Sequence, residues 1–551
     1  MASWSLRRSI VALACLSGGL AASIQDPDLA LPWDASTHRQ NVKDIFLTSW
    51  NAYMEYAYPH DDLTPISKSW TDGRNGWGAS LVDALTTLAI MGETDLLEQA
   101  VNHTATVDFT RDHSGSPVSV FETTIRYVGS LLSAYELSNK TYPVLVSQAQ
   151  TLADKLAFAW SRGNTIPYGT INVNTTVPSD GTTNIAAAGS LTLEWSRLAD
   201  YTGNDTYRAL AENAVREIIA QAKPLPGFPA QGIDPATSEP VGAYVTWGGG
   251  SDSYLEYLIK YPRLTNTDDD IFSDSWATAV DSSINTLLRR STVGNWTYLA
   301  DQDDSGTIRH IGSHLGCFMA GNWIMGGRLL NNQTIVNLGL ELNEGCWNTY
   351  TSTATGIGPE AFAFFSSDGN YTGSTPSTSQ LSFYNEHGFF ITTSYYYMRP
   401  EVLESNFYAW RYTGNTTYYD RAVAAYQSFE THLKTDTVAY APINDVNTAG
   451  GGGFIDDMES FWFAEVLKYL YLTFDEPSHI SLDEYVFNTE AHPYIAPAAK
   501  SSYGSGQLYP ESSVPFKTNS GILPLVSAAQ KIPAIQTDVK QALSTEESLR
   551  C

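Results

Sequence analysis

The 551-residue chain carries 31 Lys and Arg against 59 Asp and Glu, a formal net charge of −28. That balance argues against a nucleic-acid partner, because such affinity comes from basic contacts to phosphates. With 16% charged and 12% aromatic residues, the composition fits a large globular body with an aromatic-lined cavity.

The chain opens on Arg7-Arg8, an apolar run over residues 10–20, and the small pair Ala21-Ala22. Residues 1–22 therefore read as a secretory signal peptide. The run is short for a membrane span of ~20 residues, and no later segment is apolar enough to cross a bilayer. A secreted or lumenal monomer is expected. N-x-S/T acceptors at Asn102, Asn139, Asn174, Asn204, Asn295, Asn332, Asn370 and Asn415 agree with that compartment. Of the 4 cysteines, Cys15 leaves with the leader; Cys317 and Cys346 are the natural internal pair, and Cys551 is left over.

From about residue 35 to 497 the pattern is helix, short polar turn, helix. Tyr201-Thr202-Gly203-Asn204-Asp205 and Tyr412-Thr413-Gly414-Asn415-Thr416 are near copies. Glycine suits a left-handed helix end, and the polar residues after it suit a turn and an N-cap. Weaker versions lie at Met91-Gly92-Glu93, Ser138-Asn139-Lys140, Leu264-Thr265-Asn266, Leu330-Asn331-Asn332 and Phe474-Asp475-Glu476. Apolar residues flank them at helical spacing, as in Leu131, Leu132 and Tyr135. Seven such connections predict seven helical hairpins, and their uneven spacing favours a closed all-α (α/α)7 barrel over an open solenoid. Residues 223–250 and 354–387, rich in Gly, Pro, Ser and Thr, read as long loops or minor β-hairpins. From about 498 to 551 the tail turns to Ser, Gly, Pro and Ala and is expected to be largely disordered, with a docking segment at 521–532.

Several acids stand where chemistry is possible, each with a plainer alternative. Glu122 and Arg126 are one helical turn apart and could be a surface ion pair, but the neighbouring Tyr127-Val128-Gly129 predicts burial, where an acid needs a reason. Asp252 follows Gly248-Gly249-Gly250 at a loop-to-helix junction, which N-capping alone would explain. Glu360 follows the rigid Gly358-Pro359 turn. Glu401 and Glu404 follow Arg399-Pro400 at a helix start, a favourable place for an acid without any catalytic role.

The run Val486-Phe487-Asn488-Thr489-Glu490-Ala491-His492-Pro493 resembles the calcium-holding segment of the class I α-1,2-mannosidases, glycoside hydrolase family 47. The similarity extends back through Asp457-Met458-Glu459-Ser460-Phe461, His314-Leu315-Gly316-Cys317-Phe318, residues 254–260, Gly189-Ser190-Leu191-Thr192-Leu193-Glu194 and Ile125-Arg126 to near Asn41. It implies an (α/α)7 barrel that removes α-1,2-linked mannose from high-mannose N-glycans with inversion, using Ca2+. By the same resemblance Glu122, Asp252, Glu360 and Glu401 are the catalytic acids, Glu401 being the base; which acid donates the proton stays open. Acid and base of an inverting site should stand roughly 6.5–9.5 Å apart. Thr489 would ligate calcium, Cys317 and Cys346 would be bonded, and Arg126, Glu194, His314, Arg399, Glu404, Glu459, Phe461 and Glu490 would serve the substrate or the ion's surroundings. Where the narrowly trimming branch of the family has arginine two residues before the Asp252 position, this chain has Gly250, which resembles the broad-trimming fungal secreted and Golgi-like branch. Residues 70–75 depart from the family's commoner wording. Two other functions remain: a mannose-reading lectin-like relative with weak catalysis, and an unrelated toroidal glucan hydrolase.

Overall fold

The structure, a computed structural model, describes residues 22–521. Most of the expected leader, with Cys15, and the end of the tail, with Cys551 and nearly all of the expected docking segment, lie outside the described residues.

Helices come in antiparallel pairs along the chain. After α1 (Ala35–Tyr56) follow α2 (Leu85–Ile90) with α3 (Thr94–Thr104), α4 (Gly129–Leu137) with α5 (Pro143–Leu156), and α6 (Thr192–Thr202) with α7 (Thr206–Ala220). Then come α8 (Asp252–Thr265) with α9 (Ile271–Ser282), α10 (Phe318–Leu329) with α11 (Gln333–Thr351), α12 (Glu401–Thr413) with α13 (Thr416–His432), and finally α14 (Leu467–Thr473). The even-numbered helices pack each against the next, and the π-helical turn Trp462–Val466 before α14 returns to α2. The ring is therefore closed, an (α/α)7 barrel with the even-numbered helices inside.

Local chemistry explains the pairing. Gly203 (φ 70°) and Gly414 (φ 61°) end α6 and α12 in the left-handed conformation, where a side chain would be strained. Asn332 and Asn415 cap α11 and α13 through backbone amides of the first turn. Outer helices bury one stripe, as α5 does with Leu145, Ala149, Leu152 and Leu156. Inner helices bury almost every face, as α10 does with all residues except Arg328.

Three expectations need adjusting. The turn Phe474-Asp475-Glu476 ends α14, but no outer helix follows it. The seventh pair is completed by α1 from the opposite end of the chain, whose Phe46 and Trp50 rings lie 5.3 and 6.1 Å from Phe463. Within residues 354–387 a helix, Thr378–His387, stands where a loop or hairpin was expected, started by a reciprocal Ser377/Gln380 capping box. Residues 498–521 carry no helix or strand but dock along the barrel: Tyr503 is buried, its amide donates to Leu329 O (3.0 Å), and the Tyr509 amide donates to Thr278 Oγ1 (2.7 Å). Cys317 and Cys346 are disulfide-bonded, with Cα atoms 6.0 Å apart, and tie the start of α10 to α11. The asparagines of all the N-x-S/T acceptors are exposed.

Candidate active site

The antiparallel hairpin Tyr485–Phe487/Pro493–Ile495 packs against inner helices α8 and α4, and its turn carries Thr489 and Glu490 to the wall of the barrel's central cavity. Asn488 organises that turn. Its Oδ1 accepts from Glu490 N (3.0 Å) and His492 N (2.8 Å), and its Nδ2 donates to Ile125 O (3.0 Å) and Glu194 Oε1 (2.8 Å). The hairpin can approach so closely because α4 begins with glycine. A Cβ on Gly129 would lie 2.6 Å from Asn488 Nδ2 and 3.0 Å from the His492 ring.

The cavity has a volume of about 640 Å3, and Glu122, Arg126, Asp252, Arg399, Glu401, Glu404, Phe461, Thr489 and Glu490 all line it. Three acids enter from first turns of inner-wall helices: Glu122 from Val120–Thr123, Asp252 from α8 and Glu401 from α12. These three and Thr489 remain partly exposed, while Glu194, Glu360, Glu404, Glu459 and Glu490 are buried. Two π-helical turns, Thr124–Val128 with Arg126 and Trp462–Val466 with Glu465, widen the inner helices beside the cavity. Such turns recur at functional sites.

The remaining expected residues stand behind this wall. His314 is buried between Glu401 Oε2 (2.7 Å from Nδ1) and the Tyr350 hydroxyl (2.7 Å from Nε2). Glu360, expected among the catalytic acids, does not line the cavity; it accepts from Arg399 Nε and so holds that guanidinium. Glu194 lies under the hairpin, accepting from Tyr257 OH (2.6 Å) as well as Asn488, while its Oε2 is buried with no hydrogen-bond partner. Glu459 accepts from Arg74 Nη2 (2.6 Å).

Electrostatics separates the acids. Burial raises Asp252 to about 7, with Glu256 and Glu401 adding repulsion. Burial acts on Glu401 in the same sense, but the hydrogen bond and charge of His314, together with Arg399, outweigh it and hold Glu401 below its ordinary value. The two carboxyls are thus shifted in opposite directions, Asp252 towards holding its proton and Glu401 towards losing it.

Four buried acids, Glu194, Glu404, Glu465 and Glu490, hold their protons more tightly than usual. Burial, reinforced by neighbouring carboxylates, raises Glu194 to about 7 and Glu404 to about 8, and pushes Glu465 and Glu490 well above the usual range. No cluster of three His, Cys, Asp or Glu ligands exists among the described residues. Buried carboxyls that an incoming cation would ionise, beside a threonine and with Glu194 Oε2 unpartnered, fit a hard divalent ion held through oxygen and water. It does not fit a zinc-type ligand set.

Sequence reading missed Arg74, Glu256 and Glu465, all of which line the cavity. Glu465 had a usable signal, an acid inside the apolar run Phe463-Ala464-Glu465-Val466-Leu467. Gly250 also lines the cavity, with φ 90° and a carbonyl that accepts from Ala186 N (3.1 Å). Any side chain there would be strained, so Gly250→Arg would mix backbone rearrangement with crowding. The products of the unaltered enzyme are the cleaner measure of specificity.

The family model described as Glycosyl hydrolase family 47 matches residues 45–495. The probable mannosyl-oligosaccharide alpha-1,2-mannosidase 1B of Aspergillus niger is 39% identical over 515 residues, covering 89% of this chain and 98% of its own. The mannosyl-oligosaccharide alpha-1,2-mannosidase 1B of Emericella nidulans is 39% identical over 508 residues, covering 88% and 99%. The solved alpha-1,2-mannosidase from Trichoderma reesei superposes with a TM-score of 0.81 at 40% identity, over 84% of this chain and 99% of that one. A barrel whose first and last helices close the ring, with acids on inner-helix starts around one cavity and relatives of this extent, places the chain in glycosyl hydrolase family 47.

Proposed function

We propose that this protein is a calcium-dependent, inverting exo-α-1,2-mannosidase that trims high-mannose N-glycans towards five mannoses. The observation that carries the reading is the convergence of Glu122, Asp252 and Glu401 on one cavity above Thr489. The names of the fungal relatives support the substrate class.

In this reading a terminal mannose enters the cavity with its anomeric carbon between the acids. Glu401, kept ionised by His314 and Arg399, takes a proton from water as the water oxygen bonds to C1. The C1–O2 bond to the next mannose breaks, and O2 takes a proton from the side of Glu122 and Asp252. Glu122 orients the water that carries this proton, and Asp252 is the carboxyl that retains a proton up to about pH 7. Attack from the face opposite the leaving oxygen inverts the anomeric centre. Thr489, with Glu194, Glu404 and Glu490 around it, would hold the calcium ion, which when bound supplies oxygen coordination to hydroxyls of the terminal sugar and fixes its orientation. Exposed glycosylation acceptors and the leader-like N-terminus support a secreted location for this activity.

Two outcomes follow. A mass-spectrometric time course on a nine-mannose glycan should show successive losses towards five mannoses, with only α-1,2 linkages cleaved. A stall after one mannose would refute broad trimming, and binding without turnover would favour the lectin-like alternative. The pH–rate profile should be bell-shaped. Glu401, held below its ordinary value of 4.5, stays charged until the pH falls through that region, giving the acidic limb. Asp252, raised to about 7, loses its proton as pH rises through that value, giving the alkaline limb. Constant kcat/KM from pH 6 to 9 would remove Asp252 as the proton-holding group.

A further inference from the structure

Arg74 belongs to the segment that departs from the family's commoner wording, and sequence reading assigned it no role. It lines the cavity, is only 7% exposed, and reaches two acids: Nη1 to Glu122 Oε2 (3.0 Å) and Nη2 to Glu459 Oε2 (2.6 Å). Glu122 Oε2 also accepts from Arg126 Nε (2.9 Å). Two guanidiniums therefore hold one oxygen of the carboxylate from different elements.

The loop that presents Arg74 is built for the purpose. Buried Asp61 gathers its backbone, accepting from the amides of Arg74 (2.8 Å), Gly76 (2.7 Å), Trp77 (2.9 Å) and Ala79 (3.0 Å). The Tyr127 hydroxyl donates to Arg74 O (2.7 Å), joining the loop to the π-helical turn that carries Arg126.

The charges show why Arg126 does not suffice. Its guanidinium also pairs with Glu490 and lies 3.6 Å from Asp83, so its charge is shared among three carboxylates. Without Arg74, Glu122 would lose one of the two guanidiniums on its Oε2 and keep only that divided partner. Charge-assisted hydrogen bonds from a rigid fork are the means by which a carboxylate is held in one orientation.

We propose that Arg74 is a positioning residue for Glu122: it fixes which carboxylate oxygen is engaged and how the other meets the water and the leaving oxygen. The proposal rests on the catalytic role given to Glu122 above. A positioning loss lowers turnover rather than ground-state binding, because a small misplacement of a reacting group weakens the transition state selectively.

The test compares unaltered enzyme, Arg74→Ala and Glu122→Gln on α-1,2-mannobiose in saturating calcium. Activity of the unaltered enzyme separately tests the functional reading, and the variants are scored as ratios to it. Arg74→Ala should lose about 10–100-fold in kcat with KM within about twofold. Millimolar guanidinium should restore part of that loss in Arg74→Ala and none in Glu122→Gln. If the alanine variant does not fold, Arg74→Gln, similar in polarity but uncharged, should show the same split. Unchanged kcat in a folded variant, or a loss confined to KM, would overturn the proposal.

Discussion

Glu401→Gln is expected to lower kcat about 10²–10⁴-fold, the range for losing a general base, while the barrel stays folded. The amide is nearly isosteric and can still meet His314, so the 2.7 Å contact between His314 Nδ1 and position 401 has a replacement partner. What the amide cannot do is accept a proton from water. Glu401 keeps an open face on the cavity and the amide leaves no void, so the thermal midpoint should move by no more than a few degrees. Near-normal turnover in the folded variant would transfer the base role to Asp252, which like Glu122 keeps an open face on the cavity.

Removal of calcium should abolish activity, and adding it back should restore activity. The physical motive is the floor of the cavity, where buried Glu194, Glu404, Glu465 and Glu490 crowd together and are all pushed towards neutral forms. A divalent ion at Thr489 relieves that repulsion, so it should bind the folded state far better than the unfolded chain. Ligand at a hundredfold excess over its Kd then stabilises by about 2.7 kcal/mol, read as a higher thermal midpoint in calcium than in chelator. Full activity in chelator, with metal removal verified by elemental analysis, would dismiss Thr489 as a ligand.

The parts of this molecule written in short contiguous segments were legible in the sequence. The Tyr-Thr-Gly-Asn turns announce themselves because a left-handed glycine and a capping asparagine act within a few residues. The Asn488 to His492 turn is equally local, since Asn488 bonds amides two and four residues on. Ring closure is a different matter. The turn after α14 correctly marks a helix end, yet the outer partner of α14 arrives from the N-terminus, and no local signal announces that pairing. Arg74 was invisible for the same reason: its partners Glu122 and Glu459 are 48 and 385 residues away. The helix Thr378–His387 was hidden by Ser and Thr composition, although its capping box was readable from Ser377 and Gln380.

The first mannose released from a nine-mannose N-glycan tests the proposed reaction most directly. Proton NMR, recorded before mutarotation, distinguishes its anomers and also reports which linkages disappear. An inverting α-1,2-mannosidase releases β-mannose first, with α-1,2 signals lost and α-1,3 and α-1,6 signals intact as the glycan approaches five mannoses. Initial release of α-mannose, or loss of an α-1,3 or α-1,6 linkage while α-1,2 linkages remain, would contradict it.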